Sequence, residues 1–592
     1  METLKEIRNW LPRLSSEDGK PEAYDFIVVG GGTAGNTVAG RLAEKETVSV
    51  LVIEAGVGNP QDIDKIYTPA RAFELRGSEY DWCYESTFID RPDYKRVEKP
   101  NTRGKVLGGS SQMNYYTWVP GSKATFDDWA AYGGDTWNWD NCYDYFHKPA
   151  TYFDDGNLYE TGLKDMWTAG PLEVAHAELV PQLHPFRDAL RKAWTSKGHS
   201  LTEDVYSGTM HGLTTCITSI HNGKRSGSDV FIRGKPNVTL MHSSQAQKLI
   251  LEGNTVTGVL VQGPDGKTHA IKAKREVIVA AGVFESPKLL MLSGIGPASH
   301  LKEKGIKPVV DSMHVGQNLL DHPIMPHVFR LKDGYGLDNY IVHPGPKHEE
   351  AVKTYDSAKD GPLRSGLLEL VAFPRIDERL QKDEGYRQLK EQLGGKDPYG
   401  PGGQPHFEID FVPVFADAFQ YHIPKPVEGD YLTVIVDLLR PTQKGEVKLK
   451  SQDPLEKPHI NLNFLANDTD IVALREGVLW VDDILMNGEG FKDIILEDYP
   501  KPLPRDDPDA MKKEILERSQ TGYHPCGTCR LSKDVVEGVV DPDLAVHGVN
   551  RLRVVDASVF PVIPDCRIQN AVYMVAEKGA DIIKAAHKDL YG

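Results

Sequence analysis

Basic residues are in deficit in this 592-residue chain: 68 Lys and Arg stand against 85 Asp and Glu, a formal net charge of −17. That balance argues against nucleic acid as a partner, because such partners need a basic face. It also gives no long-range attraction for a small anion, so any anion site has to be built locally. Cysteine is scarce, and six in this length do not make a disulfide framework. No run approaches the roughly 18 apolar residues of a membrane span. The opening stretch, METLKEIRNWLPRLSSEDGK, has neither an apolar core nor a small-residue cleavage site. The closing Asp-Leu-Tyr-Gly is not a peroxisomal tripeptide. The expectation is an intracellular, cytoplasmic protein with no membrane and no nucleic-acid partner. Asn237-Val-Thr and Asn467-Asp-Thr then match the glycosylation pattern by coincidence. No repeat or low-complexity segment stands out.

What is present is ordinary globular composition, 40% hydrophobic and 26% charged, in a chain too long for one core. Tyr24 to Val29 reads as a short strand, followed by a glycine turn, a helix to about Ala43 and a second strand from Val48 to Ile53. Gly30-Gly31-Gly32-Thr33-Ala34-Gly35 fits G-x-G-x-x-G between strand and helix. The first glycine permits the turn, the second lets backbone approach a pyrophosphate, and the third allows close helix–strand packing. Glu54 closes the second strand, 19 residues after Gly35, where a carboxylate can bond a ribose hydroxyl. This unit indicates a dinucleotide without separating NAD from FAD.

Further strands are expected at Asn237–Met241, Lys248–Leu251, Thr255–Gln262 and Glu276–Ala280, the last leading through Gly282 into a helix. Residues 340 to 405 are richer in charge, Gly and Pro and read as surface. Phe407 to Val414 and Tyr431 to Leu439 read as strands of an antiparallel sheet. The tail from Leu552 returns to a strand and ends on a helix. The fold class is therefore α/β, α+β overall: a Rossmann-like dinucleotide domain from discontinuous segments (20–115, 225–325 and 536–592). Between them lie lid-like segments (116–224) and a β-sheet-based substrate domain (326–535).

Four further segments narrow the cofactor. They are Asn101-Thr-Arg-Gly-Lys-Val-Leu-Gly-Gly-Ser-Ser-Gln-Met-Asn114, Ala281 to Gly296, Val315-Gly-Gln-Asn-Leu-Leu-Asp-His322, and the block from His524 through Asp556-Ala-Ser to Glu577-Lys578. In order and spacing they resemble the glucose–methanol–choline (GMC) oxidoreductases over nearly the whole chain. The resemblance implies FAD. Gly30, Gly32, Thr33, Ala34, Gly35, Glu54 and Ala55 would hold its ADP half, with Ala246 near adenine. Gly108, Gly109, Ser110 and Asn114 would lie along the pyrophosphate and flavin, and Arg103 towards the dimethylbenzene end. Asp556 and Ala557 would meet the pyrophosphate or ribityl chain, and Gln569 completes the cofactor set.

The family's first catalytic position is matched by His524, in His-Pro-Cys-Gly-Thr-Cys-Arg. The second, usually His or Asn, falls on Arg567, which ends Pro-Asp-Cys-Arg. An alcohol loses a hydroxyl proton as it gives its hydride, which suits a neutral base. Arginine stays protonated and has no acceptor. It grips a carboxylate instead, with charge-assisted bonds of roughly 1.5–3 kcal/mol each. Formate is a carboxylate with a transferable hydride and no proton left to remove. The chain also resembles the formate oxidase branch of the family, known for an 8-formyl flavin, so a modified FAD is what that resemblance implies. The expected partners are formate and O2, with CO2 and hydrogen peroxide as products; a homo-oligomer is left open. In that scheme Arg567 binds formate, while a protonated His524 stabilises charge as O2 is reduced.

The competing readings are an alcohol or aryl-alcohol oxidase or dehydrogenase, a non-redox cyclase or lyase on the same scaffold, and a non-catalytic dinucleotide sensor. Arg567 could also merely pair with Asp565 or another acid. Cys526 and Cys529 form a single C-x-x-C, which gives no metal site without a second pair. Phe407, Phe411, Phe415 and Phe419 sit four apart and are read as core rather than as a substrate cage.

Overall fold

The computed structural model describes residues 23–153, 169–202, 204–416 and 423–592. Its first sheet grows outward from the strand Ala23–Val29. Val50–Ile53 pairs with it on one side, Phe26 opposite Val50 and Val29 opposite Ile53. On the other side lies the end of the 12-residue strand Thr268–Val279, with Val29 opposite Val279. Val238–Met241 flanks Val50–Ile53, and Leu552–Val554 flanks Val277–Val279. All of these pairs are parallel, so five strands from four distant stretches of chain form one parallel sheet. All four residues of Val50–Ile53 are buried, as expected where neither sheet face meets water. The first half of Thr268–Val279 leaves this sheet and pairs antiparallel with Thr255–Gln262, which pairs in turn with Gln245–Glu252.

The expected strands are therefore present with boundaries moved by a few residues, the usual result where pairing rather than local propensity ends a strand. Helix Thr33–Leu42 packs on the C-terminal helix Gln569–Ala586. Arg41 clamps the two together with bonds of 2.8 and 2.7 Å to the fully buried carboxylate of Glu577. That ion pair ties the last segment of the chain to the first.

The second sheet is wholly antiparallel, in the order Ile495–Tyr499, Pro323–Leu331, Asp430–Leu438, Phe407–Val412, Leu370–Phe373, Gly212–Thr215. Every residue of Phe407–Val412 and of Asp430–Leu438 is buried. Alternation sends Phe407, Ile409 and Phe411 to one face, where Phe407 and Val436 approach Gly477 of the helix Asp468–Asn487 and Phe411 meets Trp194. Phe415 joins a separate cluster with Val328 and Tyr431; Phe419 lies outside the described residues. The other face turns Glu408, Asp410, Ile435 and Asp437 towards the first sheet, and the site lies there.

The stretch 340–405 lies largely at the surface, as read, except for one buried segment. It carries the helices Pro346–Ala358 and Glu384–Gln392, and its strand Leu370–Phe373 is fully buried within the second sheet. Four consecutive apolar residues, Leu-Val-Ala-Phe, carry too weak a signal to stand out against charged flanks. Among the described residues no helix is long and apolar enough to cross a membrane.

Candidate active site

One elongated cavity runs between the two sheets. At one end are the glycine turn and Glu54. The strand–turn–helix geometry there demands glycine: Gly30 sits at φ +105°, and a Cβ on Gly35 would lie 1.8 Å from the carbonyl oxygen of Gly30. The helix that follows starts at Gly32 with no side-chain cap and no acidic residue in its first turn, so its first N–H groups remain open to an anion. A second helix, Gln569–Ala586, also starts uncapped at the cavity wall. Glu54 accepts from Gly31 N at 3.0 Å and Gly56 N at 2.7 Å. Burial nevertheless pushes its carboxyl up to about 7, with those bonds pulling the other way.

The cavity wall brings together most of the residues singled out in the sequence: Gly30, Gly32, Thr33, Ala34, Glu54, Ala55, Arg103, Gly109, Ser110, Asn114, Ala246, Asp556, Ala557, Gln569, His524 and Arg567. Gly35 and Gly108 are not among them. Gly35 acts in packing, and Gly108 turns the chain at φ +96° while its N–H donates to Gly31 O at 2.7 Å. Asn114 and Gln569, 455 residues apart, are hydrogen-bonded at 2.5 Å, and Arg225 holds the amide oxygen of Asn114 at 2.6 Å. Asp556 is committed to its own chain: it accepts from Gly282 N (2.8 Å), Ser286 Oγ (2.6 Å) and Ser558 N (2.8 Å). Arg103 donates to Tyr523 O at 2.6 Å, which places it beside His524.

His524 is held from below. Its backbone N–H donates to Asp321 at 2.9 Å, and the same carboxylate takes His322 N at 2.8 Å and Thr521 Oγ1 at 2.5 Å. The Nδ1 atoms of His524 and His322 are 3.0 Å apart, the rings edge to face. Burial drives both imidazoles towards the neutral form, His322 down to about 3 and His524 well below its ordinary value. Their mutual repulsion and Arg103 add to the effect on His524. Burial thus favours the uncharged form of His524 in the resting site.

Arg567 reaches into the same wall, but its charge is already met by protein. Its Nε donates to Glu408 at 3.2 Å, and Nη2 to Asp410. The partner is not Asp565, which instead accepts from Ser122 N at 2.8 Å. A guanidinium has five N–H groups. Two are used here, so both Nη1 hydrogens and one on Nη2 have no partner among the described residues. The carboxylates thus grip Arg567 from one side and leave donors on the other. A third acid, Asp437, stands opposite Glu408 in the strand register and also lines the cavity.

The sequence reading missed these acids, and it quoted Asp321 and His322 inside a motif without giving them work. The available signal was a run of buried-strand pattern interrupted by acids: Glu408 and Asp410 in Phe-Glu-Ile-Asp-Phe, and Asp437 after Val-Ile-Val. A charge in a buried strand is costly unless it has a task.

Models of the GMC oxidoreductase N-terminal and C-terminal regions match residues 24–324 and 441–576. The chain is a GMC oxidoreductase. It carries the family's α/β fold and binds FAD, to which the uncapped helix starts, the glycine turn and the buried Glu54 are suited. A variant of the formate oxidase of Aspergillus oryzae is 55% identical, with a TM-score of 0.95, covering 96% of this chain and 99% of that one, and a further formate oxidase crystal structure matches equally well. Variants of that enzyme with an arginine changed to lysine or alanine concern FAD modification. The oxygen-dependent choline dehydrogenase of Brucella suis is 32% identical over 575 residues, 94% of this chain and 95% of its own. A fungal aryl-alcohol oxidase is 25% identical at a TM-score of 0.80, covering 96% of this GMC oxidoreductase and 100% of its own chain.

Proposed function

We propose that this GMC oxidoreductase is a formate oxidase. When bound, FAD would supply the hydride acceptor and the route for electrons to O2. Gly30, Gly32, Thr33, Ala34, Glu54 and Ala55 hold its ADP half beside Ala246. Gly109, Ser110, Asn114, Ala557 and Gln569 line its path towards His524. The residues of the chain then bind and orient the substrate: Arg567, immobilised through Glu408 and Asp410, offers its remaining N–H groups to the two formate oxygens, which aims the C–H bond. His524 and Arg103 close the site around it. The observation that carries the reading is Arg567 itself, a permanent cation in the cavity wall with donors to spare and with no capacity to accept a proton. The 55% identity to a formate oxidase supports it, and an 8-formyl FAD is part of the proposal by the same likeness.

Adding formate to the oxygen-free holoenzyme should bleach the flavin absorbance, while methanol and benzyl alcohol leave it unchanged. Bleaching by the alcohols alone would replace this reading with alcohol oxidation. One observation favours that second reading: two carboxylates already share the charge of Arg567, and the neighbouring His524 is neutral and so able to serve as a base.

The same cluster predicts a pH dependence. Burial raises the Glu408 carboxyl, with Arg567 opposing. Below that raised value Glu408 is protonated and the cluster can accept an anion; above it, the added negative charge repels formate. The KM for formate should therefore climb as pH rises through that ionisation, and Glu408→Gln should flatten the climb. A KM independent of pH in the wild type would count against an anionic substrate at this cluster.

A further inference from the structure

Three carboxylates, those of Glu408, Asp410 and Asp437, share one face of the second sheet with a single guanidinium, and none is more than 1% exposed. Glu408 and Asp410 take Arg567 between them. Asp437 has no such partner. It lies across the strand pair from Glu408 on one side and Ile324 on the other. Its Oδ1 is buried without a hydrogen bond, and no cation pairs with it among the described residues. The groups that face it are also acids: Glu408 on the adjacent strand and Asp321 from the segment leading into Pro323–Leu331. A carboxylate in that setting would be a dry, unpaired charge beside like charges, and such a group takes up a proton instead. Burial, reinforced by Glu408 and Asp321, raises Asp437 far above the ordinary carboxyl range.

The proposed reaction has use for that proton. Formate breaks its C–H bond, surrenders two electrons and one proton as hydride, and leaves as CO2. O2 accepts the two electrons and forms two O–H bonds in becoming H2O2. One hydrogen comes from formate, so each turnover consumes one further proton: HCOO⁻ + O2 + H⁺ gives CO2 + H2O2. Alcohol oxidation has no such deficit, because the substrate hydroxyl supplies the second proton. His524 is a poor source, since burial, His322 and Arg103 keep it neutral. Asp437 lines the cavity together with His524 and Arg567.

We infer that Asp437 is the internal acid of this enzyme, a protonated carboxyl that delivers to reduced oxygen the proton that formate cannot bring. The Asp437 O–H bond breaks, an O–H bond of hydrogen peroxide forms, and the aspartate recovers its proton from solvent before the next turnover. This rests on the formate reading for its stoichiometry, but its test does not use formate.

The holoenzyme is reduced with dithionite in the absence of oxygen and mixed with O2, and flavin reoxidation is followed. Asp437→Asn should slow reoxidation roughly 10²-fold, the scale of a lost general acid, and Asp437→Glu should restore most of it. The wild-type-minus-Asp437→Asn infrared difference spectrum should show the C=O stretch of one buried carboxylic acid, shifted in D2O, over the unchanged bands of other buried carboxyls such as Glu54. Should that variant fail to fold, the wild type still decides: its acid band and its reoxidation rate should fall together as pH rises. A difference spectrum in which Asp437→Asn loses no acid band, or reoxidation of that variant at the wild-type rate, would overturn the assignment. Failure of formate to bleach the wild type would overturn the substrate, and leave the reoxidation result to be judged by itself.

Discussion

Arg567→Ala should lose formate turnover by roughly 10²- to 10⁴-fold in kcat/KM, the equivalent of two charge-assisted hydrogen bonds of about 1.5–3 kcal/mol each. FAD should remain bound, because no contact of the guanidinium lies at the glycine turn; its partners are Glu408 and Asp410. The alanine variant has a second consequence. It strands two buried carboxylates, and removing one partner of a buried pair costs about 3–5 kcal/mol unless the survivors take up protons. Thermal stability should therefore fall and should recover partly at lower pH, where Glu408 and Asp410 can be neutral. Arg567→Lys separates the two effects. A lysine keeps a cation near the acids but cannot span Glu408, Asp410 and a substrate at once, so stability is largely retained while formate oxidation stays well below wild type. Steady-state formate kinetics unchanged in either variant would remove Arg567 from substrate binding.

The second large effect belongs to the cofactor end. Gly35→Ala should yield protein without yellow colour. The new methyl would lie 1.8 Å from Gly30 O and 3.2 Å from Val28 Cγ1, so the helix Thr33–Leu42 has to move off the strand that carries the turn. Overpacking of this kind costs about 1–3 kcal/mol, and here the displacement falls on the N–H groups meant for the pyrophosphate. Gly32→Ala is the matched control. Its methyl would meet only Gly109 Cα, at 3.8 Å, on the cavity side, so the fold should persist while FAD binds more weakly. Flavin absorbance per protein and the thermal midpoint measure both variants. A Gly35→Ala protein with a full complement of FAD would show that the turn tolerates the shift.

The two ends of the cavity were not equally legible in the sequence. The glycine turn and Glu54 are local: the 31 residues from Ala23 to Ile53 hold the strand, turn, helix and second strand, and each is dictated by periodicity or by a backbone demand only glycine meets. The flavin-facing segments were legible through resemblance, and most of the residues named from them line one cavity. Asn114 and Gln569 were each named, yet their mutual hydrogen bond across 455 residues depends on how the C-terminal helix docks through Arg41 and Glu577.

Sequence by itself determined the dinucleotide unit and, through the family resemblance, the FAD and the candidate pair of His524 and Arg567. Those features are written in short segments whose chemistry does not depend on what lies opposite. The environment of that pair was decided only in three dimensions. A guanidinium has the same charge wherever it stands, but its effect on a substrate is set by its counter-ions. Those counter-ions, Glu408 and Asp410 with Asp437 behind them, come from strands more than 100 residues away and reach Arg567 because an antiparallel register turns them to one face. Burial then sets their protonation; the pattern of a buried strand marks these positions as inside, but not which charges meet there.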